Sequence, residues 1–243
     1  MNKIVIIPTF ASSHLLEYWI ENIISTINPD NIIINEGLMI NGPENKTEID
    51  INFRERWCYP NSIVGFDWEE TLSICKKYAD LVTLNCLIYR NHDANQSFIE
   101  AVSSFHGVDP RQKTLIFPLE PDAFLYDLDK DTINEEISKL QPGSGISVKW
   151  VDFLETQFYT EAINIQNPKY RRFCYCFDNM QNYKEAINGF MSQSYPKLKK
   201  VDSFFIRHYC WMQPDPWKQL RYELIYRSDP NYWAAFDKGL EQI

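Results

Sequence analysis

The stretch from Lys3 to Gly37 confines the chain to few architectures. Lys3-Ile4-Val5-Ile6-Ile7-Pro8 is a short apolar run stopped by proline, the texture of a parallel strand buried on both faces. From Leu15 the apolar residues Leu15, Leu16, Trp19, Ile20, Ile23, Ile24 and Ile27 repeat at helical spacing until Asn28-Pro29-Asp30 interrupts them. Ile32-Ile33-Ile34 makes a second strand, closed by Asn35-Glu36-Gly37. Two strands joined by a helix form a β-α-β unit. Such an opening predicts a doubly wound α/β sheet of the nucleotide-binding kind.

The rest of the chain extends that pattern. Residues from about Leu38 to Phe66 are polar and irregular, too long for an ordinary connection, which predicts a functional loop. Asp67-Trp68-Glu69-Glu70 has the spacing of a capping box and starts a helix carrying Leu72 and Cys75. Leu81 to Ile88 and Lys113 to Phe117 read as strands. Between them Asp93 or Asn95 caps a helix bearing Phe98, Ile99, Val102 and Phe105. Beyond these come a helix from Asp131 to Leu140, strands at Ile146 to Trp150, Arg172 to Phe177 and Val201 to Tyr209, and a helix from Trp217 to Tyr226. There are no repeats and no linker. The expectation is one mixed α/β domain over residues 1–243, with a mostly parallel central sheet flanked by helices.

Open α/β sheets bind ligands at the carboxyl edge of their strands. Leu119-Glu120-Pro121-Asp122-Ala123-Phe124-Leu125 places two carboxylates there, immediately after the strand Lys113 to Phe117. Carboxylates so placed suit Mg²⁺ or Mn²⁺, cations held by one or two acids together with substrate phosphates. The competing reading makes Asp122 a helix cap, but Pro121 favours an extended Glu120 and argues against a helix at that point. A net charge of −9 and a pI near 5.0 argue against gripping a nucleic-acid backbone, yet they leave room for a nucleotide bound through a cation. The six cysteines form no CxxC pair and read as free thiols of a reducing compartment. No leader and no bilayer-length apolar run is evident, so the expectation is a soluble, cytoplasmic protein without a transmembrane segment.

Four short motifs occur in a telling order: Ile6-Ile7-Pro8-Thr9, Ile34-Asn35-Glu36-Gly37, Arg90-Asn91-His92-Asp93-Ala94-Asn95-Gln96, and the Leu119 to Leu125 run. In this the chain resembles the GT-A nucleotide-sugar glycosyltransferases, especially the large inverting group related to cellulose and chitin synthases. The resemblance implies a donor half at 1–125 and an acceptor half at 126–243. It places Pro8, Thr9, Glu36, Arg90 and Glu120 on a nucleotide-sugar donor, with a UDP-sugar favoured over a GDP-sugar. It also places Glu120 and Asp122, with His208 as a third ligand, on Mn²⁺ or Mg²⁺. Two departures stand out: Glu120 where the family usually has Asp, and Ala123 where many members have an acid. They keep a second reading open, a nucleotide- or sugar-binding relative that has lost its metal. A nucleotidyltransferase ranks third, because residues 8–13 contain no Gly, Lys or Arg to hold phosphates.

An inverting transferase needs a general base for the acceptor hydroxyl. Asp152, Glu155, Asp178 and Asp202 are the acids available in the second half, and Asp178 and Asp152 are favoured because each follows a strand. Trp150 and Trp211 are sugar-stacking faces for the glycan or other hydroxyl acceptor, or else core. Lys197-Leu198-Lys199-Lys200 offers charge to a peripheral membrane contact or an anionic acceptor, although three lysines usually mark a solvated turn.

Overall fold

The computed structural model describes residues 1–40, 51–87, 89–90, 111–155, 160–162, 169–178, 198–209, 216, 217, 219, 220 and 223. At 39, 40, 89, 90, 152–155, 160–162 and 169 the description is of backbone alone. In chain order the elements are β1 (Asn2–Thr9), α1 (Ser13–Thr26), β2 (Asn31–Glu36), β3 (Met39–Ile40), α2 (Ile51–Trp57), α3 (Trp68–Lys77), β4 (Val82–Cys86), β5 (Tyr89–Arg90), β6 (Thr114–Pro118) and β7 (Ala123–Phe124). They continue with α4 (Lys130–Ser138), β8 (Gly145–Glu155), β9 (Thr160–Ala162), β10 (Lys169–Phe177) and β11 (Lys199–His208).

The main sheet is ordered β4-β2-β1-β6-β10-β8-β11-β7, with β9 attached to β8; β3 and β5 pair separately. β4, β2, β1 and β6 are parallel. β10 then runs antiparallel to both β6 and β8, and β11 lies parallel to β8. Two reversals cancel, so β8 and β11 point the same way as β1. The architecture is therefore the expected mixed α/β one, with a mostly parallel sheet. Its carboxyl edge gathers the ends of β1, β2, β6, β8 and β11.

The sequence explains the parallel half directly. Ile4 to Ile7, Ile32 to Ile34 and Leu115 to Phe117 are at most 1% exposed, as strands covered on both faces require. α1 lays Leu16, Trp19, Ile20 and Ile23 onto the sheet, and each such burial stabilises by about 1.5–3 kcal/mol relative to exposure. The helix stops where Asn28 takes φ 51, a left-handed conformation that asparagine tolerates, and Pro29 follows.

Two local expectations need correcting. Asp67 does precede α3, but its side chain makes no cap bond there; its Oδ2 instead accepts the N–H of Ser13 at the start of α1, 2.7 Å away. The stretch from Leu38 to Phe66 is not irregular throughout. It contains α2, whose Phe53 and Trp57 lie one turn apart and are both buried. With Phe10, Ala11, Leu38, Cys58 and Leu220 they form a second apolar cluster beyond the ends of β1 and β2. The helix expected from Asp93 or Asn95, Trp211, Lys197 and most of the expected helix at Trp217 to Tyr226 lie outside the described residues. Among the described residues no helix is long and apolar enough to cross a membrane.

Candidate metal centre

After β6 the chain crosses from the middle of the sheet to its far edge, where β7 pairs with β11. Leu119 stays tied to β1 through its N–H to the Ile6 carbonyl, at 3.0 Å. Glu120-Pro121-Asp122-Ala123 then closes a turn, with the Ala123 N–H donating to the Glu120 carbonyl at 3.1 Å. Proline at the second position presets the φ this turn needs. Four more bonds fix the turn. Tyr209 N–H reaches the Asp122 carbonyl at 2.8 Å, Trp19 Nε1–H reaches the Ala123 carbonyl at 3.0 Å, and Asn22 brackets Leu125 through its side-chain amide. β11 pairs His208 opposite Ala123.

The result is a convergence of three ligand-type side chains. His208 Nε2 lies 3.2 Å from Glu120 Oε2 and 3.3 Å from Asp122 Oδ1. One ligand atom from each of the three falls within 4.8 Å of the others. Asp122 and His208 are 2% and 4% exposed, while Glu120 is half-buried. An imidazole nitrogen carries at most one hydrogen, so two carboxylates meeting there bring more negative charge than that N–H can bond. Carboxylate oxygens suit Mg²⁺ and Mn²⁺, and an imidazole nitrogen shifts the preference toward the softer of these. The donor set fits a divalent cation.

The other acids expected at this edge behave differently. Glu36 is fully buried, and its carboxylate accepts from Thr9 Oγ1 at 2.6 Å, Ala11 N at 3.1 Å and Gly65 N at 2.9 Å. Burial pushes its pKa up against the pull of those three donors. Thr9 is 1% exposed, its hydroxyl also reaching the Asn35 carbonyl at 3.5 Å, and Pro8 pairs with Asn35 in the strand. Instead of facing a ligand, Glu36 ties the β1–α1 loop to Gly65 and holds Ala11 at φ 50, a strained value for a residue with a Cβ. Arg90 sits on β5 opposite Ile40.

The two favoured bases separate cleanly. Asp178 follows β10, which is antiparallel to β6 and places Phe177 beside Thr114, at the start of that strand. Asp178 thus lies at the opposite edge of the sheet from Glu120, and it cannot share a site with the triad. Following a strand was the ground for favouring it, and the reversal at β10 carries that strand end to the other edge. Asp152 occupies the register position beside His208 in the parallel β8–β11 pair. Asp202 is exposed, paired with Lys149 at 2.7 Å and bonded by Tyr170.

Two neighbours of the triad were not anticipated. Arg171 of β10 donates to Glu120 Oε1 at 3.0 Å, and its guanidinium lies over the Trp150 ring, 4.6 Å from the centroid. Trp150 is 3% exposed and also packs against the His208 ring at 5.2 Å, so it offers no open face to a sugar. His14, in the first turn of α1, packs on Trp217 at 4.7 Å, and both its ring nitrogens are buried without a hydrogen-bond partner among the described residues. Burial drives its pKa down to about 4, against the raising effect of the Asp122 charge. The Arg171-Arg172 pair was visible in the sequence, but its placement at the ligand edge depends on the direction of β10.

No family model and no curated protein matches the sequence. Among solved structures the chain is similar to residues 1–349 of TarS from S. aureus, at 10% identity and a TM-score of 0.44, covering 86% of this chain and 61% of that one. It is similar to the mannosyltransferase PcManGT from Pyrobaculum calidifontis, solved in complex with GDP-Man and Mn²⁺, at 12% identity and a TM-score of 0.47, covering 96% and 71%. It is also similar to 4-diphosphocytidyl-2C-methyl-D-erythritol synthase, at 9% identity and a TM-score of 0.44, covering 94% and 100%. The chain spans about three fifths of the TarS segment. Similarity at this level assigns no chemistry, which has to come from the site.

Proposed function

We propose that the chain is a metal-dependent glycosyltransferase, moving a sugar from a nucleotide-diphosphate sugar to a hydroxyl acceptor with inversion. The observation that carries this reading is the convergence of Glu120, Asp122 and His208 at the carboxyl edge of the sheet. Glu120, Asp122 and His208 would hold Mn²⁺ or Mg²⁺, which would supply Lewis-acid stabilisation of the departing diphosphate. The chain's own residues do the rest. Glu36 and Thr9 fix the β1–α1 loop against which a nucleotide rests, in the donor half at 1–125, and Arg90 brings positive charge to that half. Asp152, in the acceptor half at 126–243 and level with His208, takes the proton of the attacking hydroxyl. Inversion and the preference for a UDP-sugar follow from the family resemblance.

The departure at Ala123 belongs to packing and not to ligation. Its side chain is 1% exposed beside Trp19, where a carboxylate would be buried. The departure at Glu120 is matched by the chain's own geometry, since that side chain does reach His208. A nucleotidyltransferase is disfavoured by charge. The N-terminus of α1 faces Asp67 and the preceding loop faces Glu36, so the place where a triphosphate would settle is already held by acids.

Incubation with a panel of UDP- and GDP-sugars, with and without Mn²⁺, tests the reading. Slow Mn²⁺-dependent hydrolysis of at least one donor, absent in Asp122→Asn, supports it. Binding of a nucleotide sugar that ignores both Mn²⁺ and Asp122→Asn points to the non-catalytic relative instead.

A further inference from the structure

The two oxygens of Glu120 are divided between two partners. Oε2 faces His208 and the triad, whereas Oε1 is held by Arg171. A guanidinium thus sits against one of the two carboxylates that a dication would use. The guanidinium is anchored from behind by the Trp150 ring, which is itself packed against His208. The Arg171 side chain is 39% exposed, so an anion arriving from solvent can reach the guanidinium.

We infer that Arg171 makes metal binding conditional on the nucleotide diphosphate. In the empty site it compensates Glu120 and repels a dication. When a diphosphate arrives, its negative charge engages the guanidinium and offsets that repulsion, so metal and nucleotide each strengthen the binding of the other. This rests on the metal reading above and adds to it a coupling residue that acts through charge. A merely structural Arg171 would orient Glu120, and its loss would weaken the metal whether or not nucleotide were present.

The test is Mn²⁺ affinity, read by electron paramagnetic resonance of free Mn²⁺ on the full chain, without nucleotide and with saturating UDP or GDP in parallel. Arg171→Gln should bind Mn²⁺ about tenfold tighter than wild type without nucleotide, the scale of a dication and a monocation about 6 Å apart in a water-like dielectric. The enhancement by nucleotide should fall by about tenfold as well. Arg171→Lys, which keeps the charge, should retain most of that enhancement. Arg171→Met, whose chain can still cover Trp150, serves if the Gln variant does not fold. Equal or weaker Mn²⁺ binding by the neutral variants without nucleotide overturns the inference alone, as does wild-type Mn²⁺ affinity that neither nucleotide changes. No Mn²⁺ binding by any variant, with or without nucleotide, overturns the metal reading itself.

Discussion

The mouth of β1 and β2 and the turn after β6 both gather carboxylates at the same edge of one sheet, yet they are built to opposite ends. At the mouth, Glu36 receives three donors, and one oxygen of Asp67 is taken up by α1. At the turn, Glu120 and Asp122 converge on a single imidazole nitrogen, with one guanidinium alongside. The first arrangement spends carboxylate oxygens on donors of the fold, although burial still pushes the Glu36 pKa up. The second brings two carboxylates and an imidazole within reach of one point, where a cation could be held. Burial does not separate the two places, because Asp122 is nearly as buried as Glu36; what differs is that Glu36 is tied to backbone and hydroxyl donors, whereas Glu120 and Asp122 meet at one imidazole nitrogen.

Substitutions can test that contrast, beginning where the effect is greatest. Asp152→Asn should lower kcat for sugar transfer by about 10²–10⁴-fold, the usual cost of losing a general base, while Asp178→Asn leaves it unchanged. The reverse pattern would mean that β10 is misplaced. Glu36→Ala removes the acceptor of the buried Ala11 and Gly65 N–H groups and the shorter of the Thr9 hydroxyl's two contacts, and should cost about 3–5 kcal/mol in urea unfolding. Glu120→Ala, whose pair with Arg171 is partly exposed, should cost no more than about 1 kcal/mol. Comparable losses at the two positions would erase the distinction between mouth and turn.

A separate test concerns pH. His14 has its folded pKa depressed from 6.5 to about 4 by burial, so its stabilising contribution is complete above 6.5 and is lost as pH falls toward 4. After discounting for its partial exposure the loss is about 1–2 kcal/mol. Glu36, whose pKa is raised, acts in the opposite sense: its contribution is complete below 4.5 and is lost as pH rises through its folded value. His14→Phe should therefore flatten the acid side of the stability profile measured by chemical denaturation. An unchanged slope would mean that His14 is hydrated.

The parallel half of the fold was readable because its signals are local. Apolar runs such as Ile4 to Ile7, the helical spacing from Leu16 to Ile23, and the Asn28-Pro29 stop each act within a few residues. Two of the candidate ligands were legible for the same reason, since Glu120 and Asp122 follow a strand, whereas His208 entered only through the family resemblance. What the sequence concealed was relational. Strand direction is invisible in a single strand, so Asp178 and Asp152 looked alike until β10 was found to run backwards. The capping spacing at Asp67 was real, but a tertiary donor at Ser13 claimed the carboxylate. α2 was passed over because it is seven residues long in a polar stretch, although Phe53 and Trp57 carried the spacing of a buried face.

An anomalous-scattering map from a crystal soaked in Mn²⁺ and UDP bears on the cation most plainly. A peak bounded by Glu120 Oε2, Asp122 Oδ1 and His208 Nε2, and missing in Asp122→Asn, is the expected result. A fully bound nucleotide with no peak between those three atoms would contradict it.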